Sequence, residues 1–420
     1  MALHPAEQKP PGFAGLTNLA CASQGARVLF ATDEWFAPAK MFLEFDEPVF
    51  KEGLFTDFGK WMDGWESRRR RSPGHDWCVV ELCTPGVLRG FHIDTAFFTG
   101  NNVPAIGITA CNCPSLQLPA GLSGTSGEMG SCASSEDIAR AEQCLREATE
   151  WHEVLLRSAL GPGYPDSRHN FFPCKYEGTV SHIRVNYYPD GGVARLRAYG
   201  EVRRDLSGFG SEELLDFAAS MNGGAALAWS NAHYGVPRNC ISSGRARKMD
   251  EGWETARNPR RPAVLELGPD GLVDFSYARD WFVLKLGARC SVEEVELDTN
   301  HFKGNFPESC LIEGIDAPAL LELPILEQMS RFGGEGEAAG LQWQVVVPRT
   351  KCRAHEQRLL TRAAAEIRDC GPVTHLRVTI FPDGGLSRVR VRGRHRPVTE
   401  GARPLKCPRL DAASDKSLSA

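Results

Sequence analysis

Twice in this chain a carboxylate and a guanidinium stand three residues apart beside a glycine: Gly64-Trp65-Glu66 with Arg69, and Gly252-Trp253-Glu254 with Arg257. An arginine fork grips a substrate carboxylate with two parallel hydrogen bonds, and a nearby glutamate can accept a proton. A surface ion pair beside a packing tryptophan is the plainer reading of the same residues. A second matched pair is Ile93-Asp94-Thr95 and Leu297-Asp298-Thr299, each followed by a phenylalanine and then Gly-Asn, at Gly100-Asn101 and Gly304-Asn305. His92 and Asp94 lie two residues apart and so leave one face of a strand, which is how a metal site can begin. The second copy has Glu296 at the place of His92, and spacing supplies no third histidine. No metal or other cofactor is therefore assigned, a divalent ion staying open. A carboxylate base for water, or a carboxylate that orders the loop, are the other roles for Asp94 and Asp298. His182-x-Arg184 and His375-x-Arg377 form a third matched pair, either acid–base groups or hydrogen-bonded structural histidines.

These pairs belong to a duplication. Trp61 to Arg69, His75-Asp76-Trp77, Ile93 to Asn101 and His182 to Arg197 are answered in the same order by Lys248 to Arg257, Arg279-Asp280-Trp281, Leu297 to Asn305 and His375 to Arg390, at an offset of about 190 residues. That period is far longer than a solenoid repeat, so each copy can enclose its own core. Two homologous domains are expected, at about 20–200 and 210–395, with a disordered tail over 396–420 that is short of apolar residues.

The elements that must position the polar pairs read as strands. Trp77 to Leu82 is β-branched and bounded by Asp76 and Pro85-Gly86, and His182 to Tyr187 alternates polar with apolar, which places one face in water. Asp190-Gly191-Gly192 and Asp383-Gly384-Gly385 supply the tight turns that follow. An antiparallel β-sandwich in each copy follows. One helix is expected, Ser134 to Leu156, with Ser134 and Asp137 as a capping box; Glu356 to Ile367 has helical propensity, but its place in the repeat matches Asn170 to Tyr176 and favours strand.

Composition narrows the function. The 420 residues are 42% hydrophobic and 24% charged with net charge -5, ordinary for a folded chain and against a general nucleic-acid binder. No apolar run reaches the roughly 20 residues of a membrane span. The first residues lack a secretory core, the last three are Leu418-Ser419-Ala420, and a cytoplasmic home is expected, with peroxisomal import by another route open. The 14 cysteines include no C-x-x-C and are expected to be reduced. No P-loop, dinucleotide fingerprint, nucleophile elbow or H-E-x-x-H occurs.

The run Phe30-Ala-Thr-Asp-Glu-Trp-Phe-Ala-Pro38, then Phe58 to Glu66, Pro73 to Trp77, Asp94-Thr95 with Phe98 to Asn101, and both Pro-Asp-Gly-Gly turns resemble the allantoicase family. The resemblance runs from about Val28 to Arg394. It implies a mainly β protein of two tandem galactose-binding-like jelly-roll domains, hydrolysis of allantoate to ureidoglycolate and urea within purine catabolism, and a homo-oligomer, hexamers included. On that chemistry Arg69 or Arg257 would hold the substrate carboxylate, with Arg184 and Arg377 as further anchors. Glu66, Asp94, Glu254 or Asp298 would move protons, Asn101 or Asn305 would orient a ureido group, and His182 and His375 are reserve acids. The chain departs from the family where Lys40-Met41 replaces a Glu-Asn pair; Asn239 keeps the asparagine in the second copy. Which copy is catalytic therefore stays open, as do two rival readings: an inactive relative kept for its assembly, and a non-catalytic binding module on a versatile fold.

Overall fold

The long strands arise where β-branched and aromatic residues run between glycine and proline breaks. The computed structural model describes residues 10–397, other than 207, 211, 276, 334, 335, 338 and 339. The tail expected to be disordered lies, from residue 398, outside the described residues. The chain divides into two compact units, the first reaching Leu206 and including Ser220–Gly223, the second comprising the stretch just before Ser220 and everything from Gly224 on.

In the first unit the strands are β1 (Arg27–Ala31), β2 (Trp77–Asp94), β3 (Ala105–Cys111), β4 (His152–Ala159), β5 (His169–Pro173), β6 (Thr179–Tyr188) and β7 (Arg195–Val202), with helix α1 (Ser135–Ala148) between β3 and β4. All pairings are antiparallel. Strand β2 is long enough to serve both layers of the sandwich. Its first half pairs with β1 and β6, its second half with β5 and β7. The crossing falls at Pro85-Gly86, where a Cβ on Gly86 would come within 2.7 Å of the Glu201 carbonyl. The core between the layers holds Trp65, Phe91, Ile93, Ile106, Ile183, Val185 and Tyr187. Each such fully buried large side chain contributes about 1.5–3 kcal/mol.

The second unit repeats this plan with β8 (Ala225–Trp229), β9 (Asp280–Asp298), β10 (Ser309–Ile315), β11 (Gln344–Lys351), β12 (Gln357–Thr361), β13 (Val373–Phe381) and β14 (Arg388–His395). Strand β9 again divides, pairing with β8 and β13 first, then with β12 and β14. With the short edge strands Thr17–Asn18 and Leu215–Asp216, which pair with β7 and β14, each unit carries one eight-stranded hydrogen-bonded sheet, folded into a jelly roll. Strand β12 occupies the place that β5 has in the first unit, as the repeat requires.

Three local expectations need correction. The face of β6 bearing His182, Arg184 and Asn186 is not in water: α1 covers it, and Phe30, Trp77, Val79, Ala141 and Leu145 form a second apolar cluster beneath the helix. The helix also stops at Ala148, because Thr149 is extended; Leu155 lies in β4, and Trp151 reaches back to donate Nε1–H to the Leu145 carbonyl at 3.0 Å. Ser134 caps the helix by accepting the Asp137 N–H at 3.1 Å, while the Asp137 carboxylate turns to Ser123 and Arg140 instead of closing the box. Among the described residues no helix is long and apolar enough to cross a membrane.

Candidate active site

Because β2 crosses between layers, both of its ends return to the same end of the sandwich. Trp77 stands opposite Asn186, Ala105 opposite Tyr188, Asp94 opposite Arg195, and Gly192 opposite Glu66. The loops bearing Glu66, His75, Asp94, Asn101 and Asp190 therefore gather together. The second unit does the same, with Asp280 opposite Ile380, Asp298 opposite Arg388 and Gly385 opposite Glu254.

The Gly-Gly turns serve packing as much as turning. Gly191 and Gly384 take positive φ, 126° and 132°. Gly192 and Gly385 are needed for space: a Cβ there would strike the Phe98 ring at 2.1 Å or the Phe302 ring at 1.9 Å. The tryptophans before the glutamates are pinned by Nε1–H donation, Trp65 to the Asp33 carbonyl and Trp253 to that of Asn231, both at 2.8 Å.

This packing brings Glu66 and Asn101 together, with Asn101 Nδ2 donating to Glu66 Oε1 at 2.6 Å. Asn305 donates to Glu254 Oε1 at the same 2.6 Å. Glu66 is only 8% exposed. Burial pushes its pKa up to about 7, with the Asn101 hydrogen bond opposing. A carboxyl tuned to neutral pH and held by an amide is suited to giving and taking a proton.

Arg69 and Arg257 are exposed and do not join these pairs. The chain runs extended after Glu66, and residues three apart in extended chain face opposite sides; a three-residue spacing makes neighbours on a helix, not here. The flanking arginines are engaged elsewhere, Arg68 Nε with Asp33 at 2.8 Å and Arg70 Nη1 with Asp76 at 2.7 Å. Asp76 also accepts from Thr32 Oγ1 at 2.9 Å.

Asp94 is fully buried and held as structure. It accepts Arg168 Nε at 3.0 Å and Nη2 at 2.5 Å, and the Ala96 N–H at 2.8 Å. Asp298 is equally buried and accepts the Asn300 N–H at 2.7 Å, but the position of Arg168 is taken by Glu356; its Oδ2 lies 3.7 Å from Arg245 with no hydrogen-bond partner among the described residues. The third ligand that spacing did not supply is His169, opposite Asp94 on β5; His92, Asp94 and His169 offer ligand atoms within 4.8 Å of one another. The donor types suit a transition metal, and other contacts engage part of the set. His92 Nε2 and His169 Nδ1 share a hydrogen bond at 3.0 Å, Phe171 stacks on His92, and Arg168 occupies Asp94. At the matching positions Gln357 donates to Glu296 at 2.7 Å. A cross-strand hydrogen bond is what the two units keep in common.

His182 and His375 are not at the loop end. His182 stands opposite Glu81 and Cys111, six residues of strand, or roughly 20 Å, before Tyr188. Its Nδ1 lies 2.9 Å from Ser181 Oγ. His375 is buried between Thr374 and Gln328, at 2.9 and 3.2 Å, and burial holds its pKa down at about 3. Neither meets Glu66 or Glu254. Arg184 lies on the α1-side face of β6, 4.0 Å over the Trp77 ring, and Arg377, at the matching position of β13, lies 5.0 Å over Trp343.

Sequence reasoning passed over one matched ion pair. Arg195, nearly inaccessible, forks onto Asp63 with both contacts at 2.9 Å and also donates to the carbonyls of Asp46 and Ala194. Arg388 repeats this against the Glu251 and Gly244 carbonyls. These arginines tie the loop before Gly-Trp-Glu to the strand after Gly-Gly; their recurrence in both copies was the available signal. Asn239 is likewise used internally, donating to the Gly252 carbonyl at 3.0 Å.

Fold and site together define a duplicated jelly-roll protein with a carboxylate–amide pair at the loop end of each sandwich. The family model described as the allantoicase repeat matches residues 17–203 and 215–396. A Pseudomonas aeruginosa (strain LESB58) protein named "Probable allantoicase" is 40% identical over 389 residues, 93% of this chain and 98% of that protein. A Rhizobium meliloti (strain 1021) protein of the same name is 39% identical over 389 residues, 91% and 96% of the two chains. The crystal structure of allantoicase from Saccharomyces cerevisiae superposes with TM-score 0.61 at 29% identity, covering 90% of this chain and 92% of that one. The chain belongs to the allantoicase family.

Proposed function

We propose that this protein hydrolyses allantoate to ureidoglycolate and urea, with Glu66 as the proton-transfer group. Allantoate carries its carboxylate and two ureido groups on one carbon. The oxygen of water forms a bond to that carbon, the carbon–nitrogen bond to one ureido group breaks, and a proton reaches the departing nitrogen. Glu66 takes the proton from the attacking water and returns it to the leaving urea. Asn101 holds one carboxyl oxygen in place and presents its amide to the ureido group that remains. Arg69, exposed and turned away from Glu66, is not given the substrate carboxylate in this reading.

The observation that carries this reading is the burial of Glu66 against Asn101, which tunes a carboxyl to about 7 where the motif loops meet. Glu254 and Asn305 offer the same pair in the more exposed setting, and the first unit is the proposed centre. A homo-oligomer, hexamers included, working in the cytoplasm without a cofactor completes the reading.

Urea release from allantoate by the purified chain, compared with Glu66→Gln and Glu254→Gln, tests it. Glu66→Gln is expected to lower kcat by about 100- to 10,000-fold, the range for losing a general base. A well-folded native protein that releases no urea, or an unimpaired Glu66→Gln, would overturn the assignment.

A further inference from the structure

A pocket of about 300 Å³ opens in the first unit on the α1-side face of the sheet, lined by His75, Thr109, Arg146, Trp151, Arg184 and Tyr188 among others. Its chemistry is specific. Arg184 lies 4.0 Å over the Trp77 ring, donates Nε–H to Asn186 Oδ1 at 3.0 Å and meets Glu142 at 3.1 Å; its Nη1 has no partner among the described residues. His75 Nε2 shares the same Asn186 oxygen at 3.1 Å, and its ring packs 4.7 Å from that of Tyr188, whose other contact is the Arg157 guanidinium at 4.6 Å. Burial and the adjacent arginines Arg184 and Arg70 keep His75 on the neutral side. Among the described residues the carboxylate paired with Arg184 is Glu142, itself partly exposed, and Arg146 at the rim has no ion-pair partner.

The second unit shows what the fold does with this face when it is closed. Position for position, Tyr188 becomes Phe381, Gly107 becomes Leu311, Asn186 becomes Thr379, Thr109 becomes Glu313 and Arg184 becomes Arg377. The longer loop 259–278, which replaces the short 71–74, lays Val273, Phe275 and Ala278 against Phe381 and Leu311. Arg349, the counterpart of Arg157, donates to the Val273 carbonyl at 2.7 Å and locks that plug. Arg377 is neutralised on both sides, by Glu313 at 2.8 Å and Glu337 at 2.6 Å. The first unit therefore keeps open, and short of one carboxylate, a face that the second unit fills with hydrocarbon and balances in charge.

We infer that this pocket is a binding site for a small carboxylate carrying a flat amide or ureido group, separate from the Glu66–Asn101 pair. The carboxylate meets Arg184, with Arg146 at the rim. The planar group lies along Tyr188 and Trp151 and exchanges hydrogen bonds with His75 and Thr109. This site does not depend on the hydrolytic reading of Glu66.

Calorimetric titration of the full chain with hydantoate (N-carbamoylglycine), beside acetate and urea, tests it. Hydantoate is expected to bind more tightly than either fragment. Thr109→Glu, which installs the carboxylate of the second unit, and Arg184→Gln are each expected to weaken it by about tenfold or more, the loss of a charged hydrogen bond. Glu66→Gln is expected to leave binding within about twofold, since it lies outside the pocket. Thermal melts of each variant establish that it is folded, and Thr109→Glu keeps the test decisive if Arg184→Gln melts early. No saturable heat up to about 50 mM hydantoate would overturn the inference, being weaker than a small ligand needs. So would hydantoate binding that is lost in Glu66→Gln or indifferent to Thr109→Glu, which would move the ligand to the catalytic pair. Urea release from allantoate in the same variants keeps the two readings apart: a pocket that binds in a chain that does not hydrolyse supports this inference and sinks only the other.

Discussion

Asn101 donates to Glu66 at 2.6 Å across 35 residues of chain, and Asn305 repeats the contact with Glu254 at 2.6 Å. The two pairs differ in burial, not in contact. Glu66 is nearly closed off and its carboxyl titrates at about 7, whereas Glu254 is half-buried. A base must be ionised to work. The allantoate kcat/KM is therefore expected to rise with pH through a limb near 7 and to level above it, and Glu254→Gln is expected to retain that limb. A limb near 4.5 in the native protein would count against Glu66.

The same burial has a stability signature of opposite sense. The folded pKa of Glu66, about 7, exceeds the ordinary 4.5, so between those values the folded state binds more protons than the unfolded one. Stability from this group is full below pH 4.5 and is lost as pH rises through 7, by on the order of 3 kcal/mol. Glu66→Gln keeps an oxygen for Asn101 and removes the charge. Its melting temperature is expected to exceed the native value at pH 8 and to approach it at pH 4; parallel melts across that range check the sign.

The duplication, the sandwich and the turns were legible because they are written in local letters: Gly-Trp-Glu, Asp-Thr, Pro-Asp-Gly-Gly. Glu66 and Asn101 were each marked by recurrence, but their contact was not, since it depends on Phe98 seating beneath Gly192. Arg69 was paired with Glu66 by nearness in sequence alone, in chain that is extended. Depth along a strand was also illegible. His182 recurs as faithfully as Asp94, yet nothing in its own neighbourhood reveals that the loop end lies at Tyr188. His169 could be joined to His92 only through the register of β5 on β2.

Arg168 and Arg245 address equivalent aspartates with unequal geometry. Arg168 makes two hydrogen bonds to an Asp94 with no exposure, and Arg168→Ala would strand that charge in the interior. A loss of about 3–5 kcal/mol is expected. Arg245 is largely exposed and stands 3.7 Å from Asp298, so Arg245→Ala is expected to cost under about 1 kcal/mol. Chemical denaturation of the two variants measures the contrast. Equal losses would mean that the second aspartate depends on its arginine as much as the first.

His375 separates a structural histidine from a catalytic one. It is inaccessible, bridges Thr374 to Gln328, and burial depresses its pKa to about 3. The folded state therefore binds fewer protons than the unfolded one between about 3 and 6.5. The stability is whole above pH 6.5 and declines as pH falls through that window, by on the order of 3 kcal/mol at pH 4. His92, held near 3 by burial and by Arg197, adds a decline of the same sense. His375→Gln forfeits packing and is expected to be less stable than the native protein at pH 7, yet to lose less on acidification, so that the gap narrows towards pH 4. Denaturation at the two pH values reads this directly. The allantoate pH–rate profile offers an independent check, since a group held down at about 3 that meets neither Glu66 nor Glu254 leaves the limb near 7 where it is. A shift of that limb in His375→Gln, with the fold intact, would return His375 to the reaction.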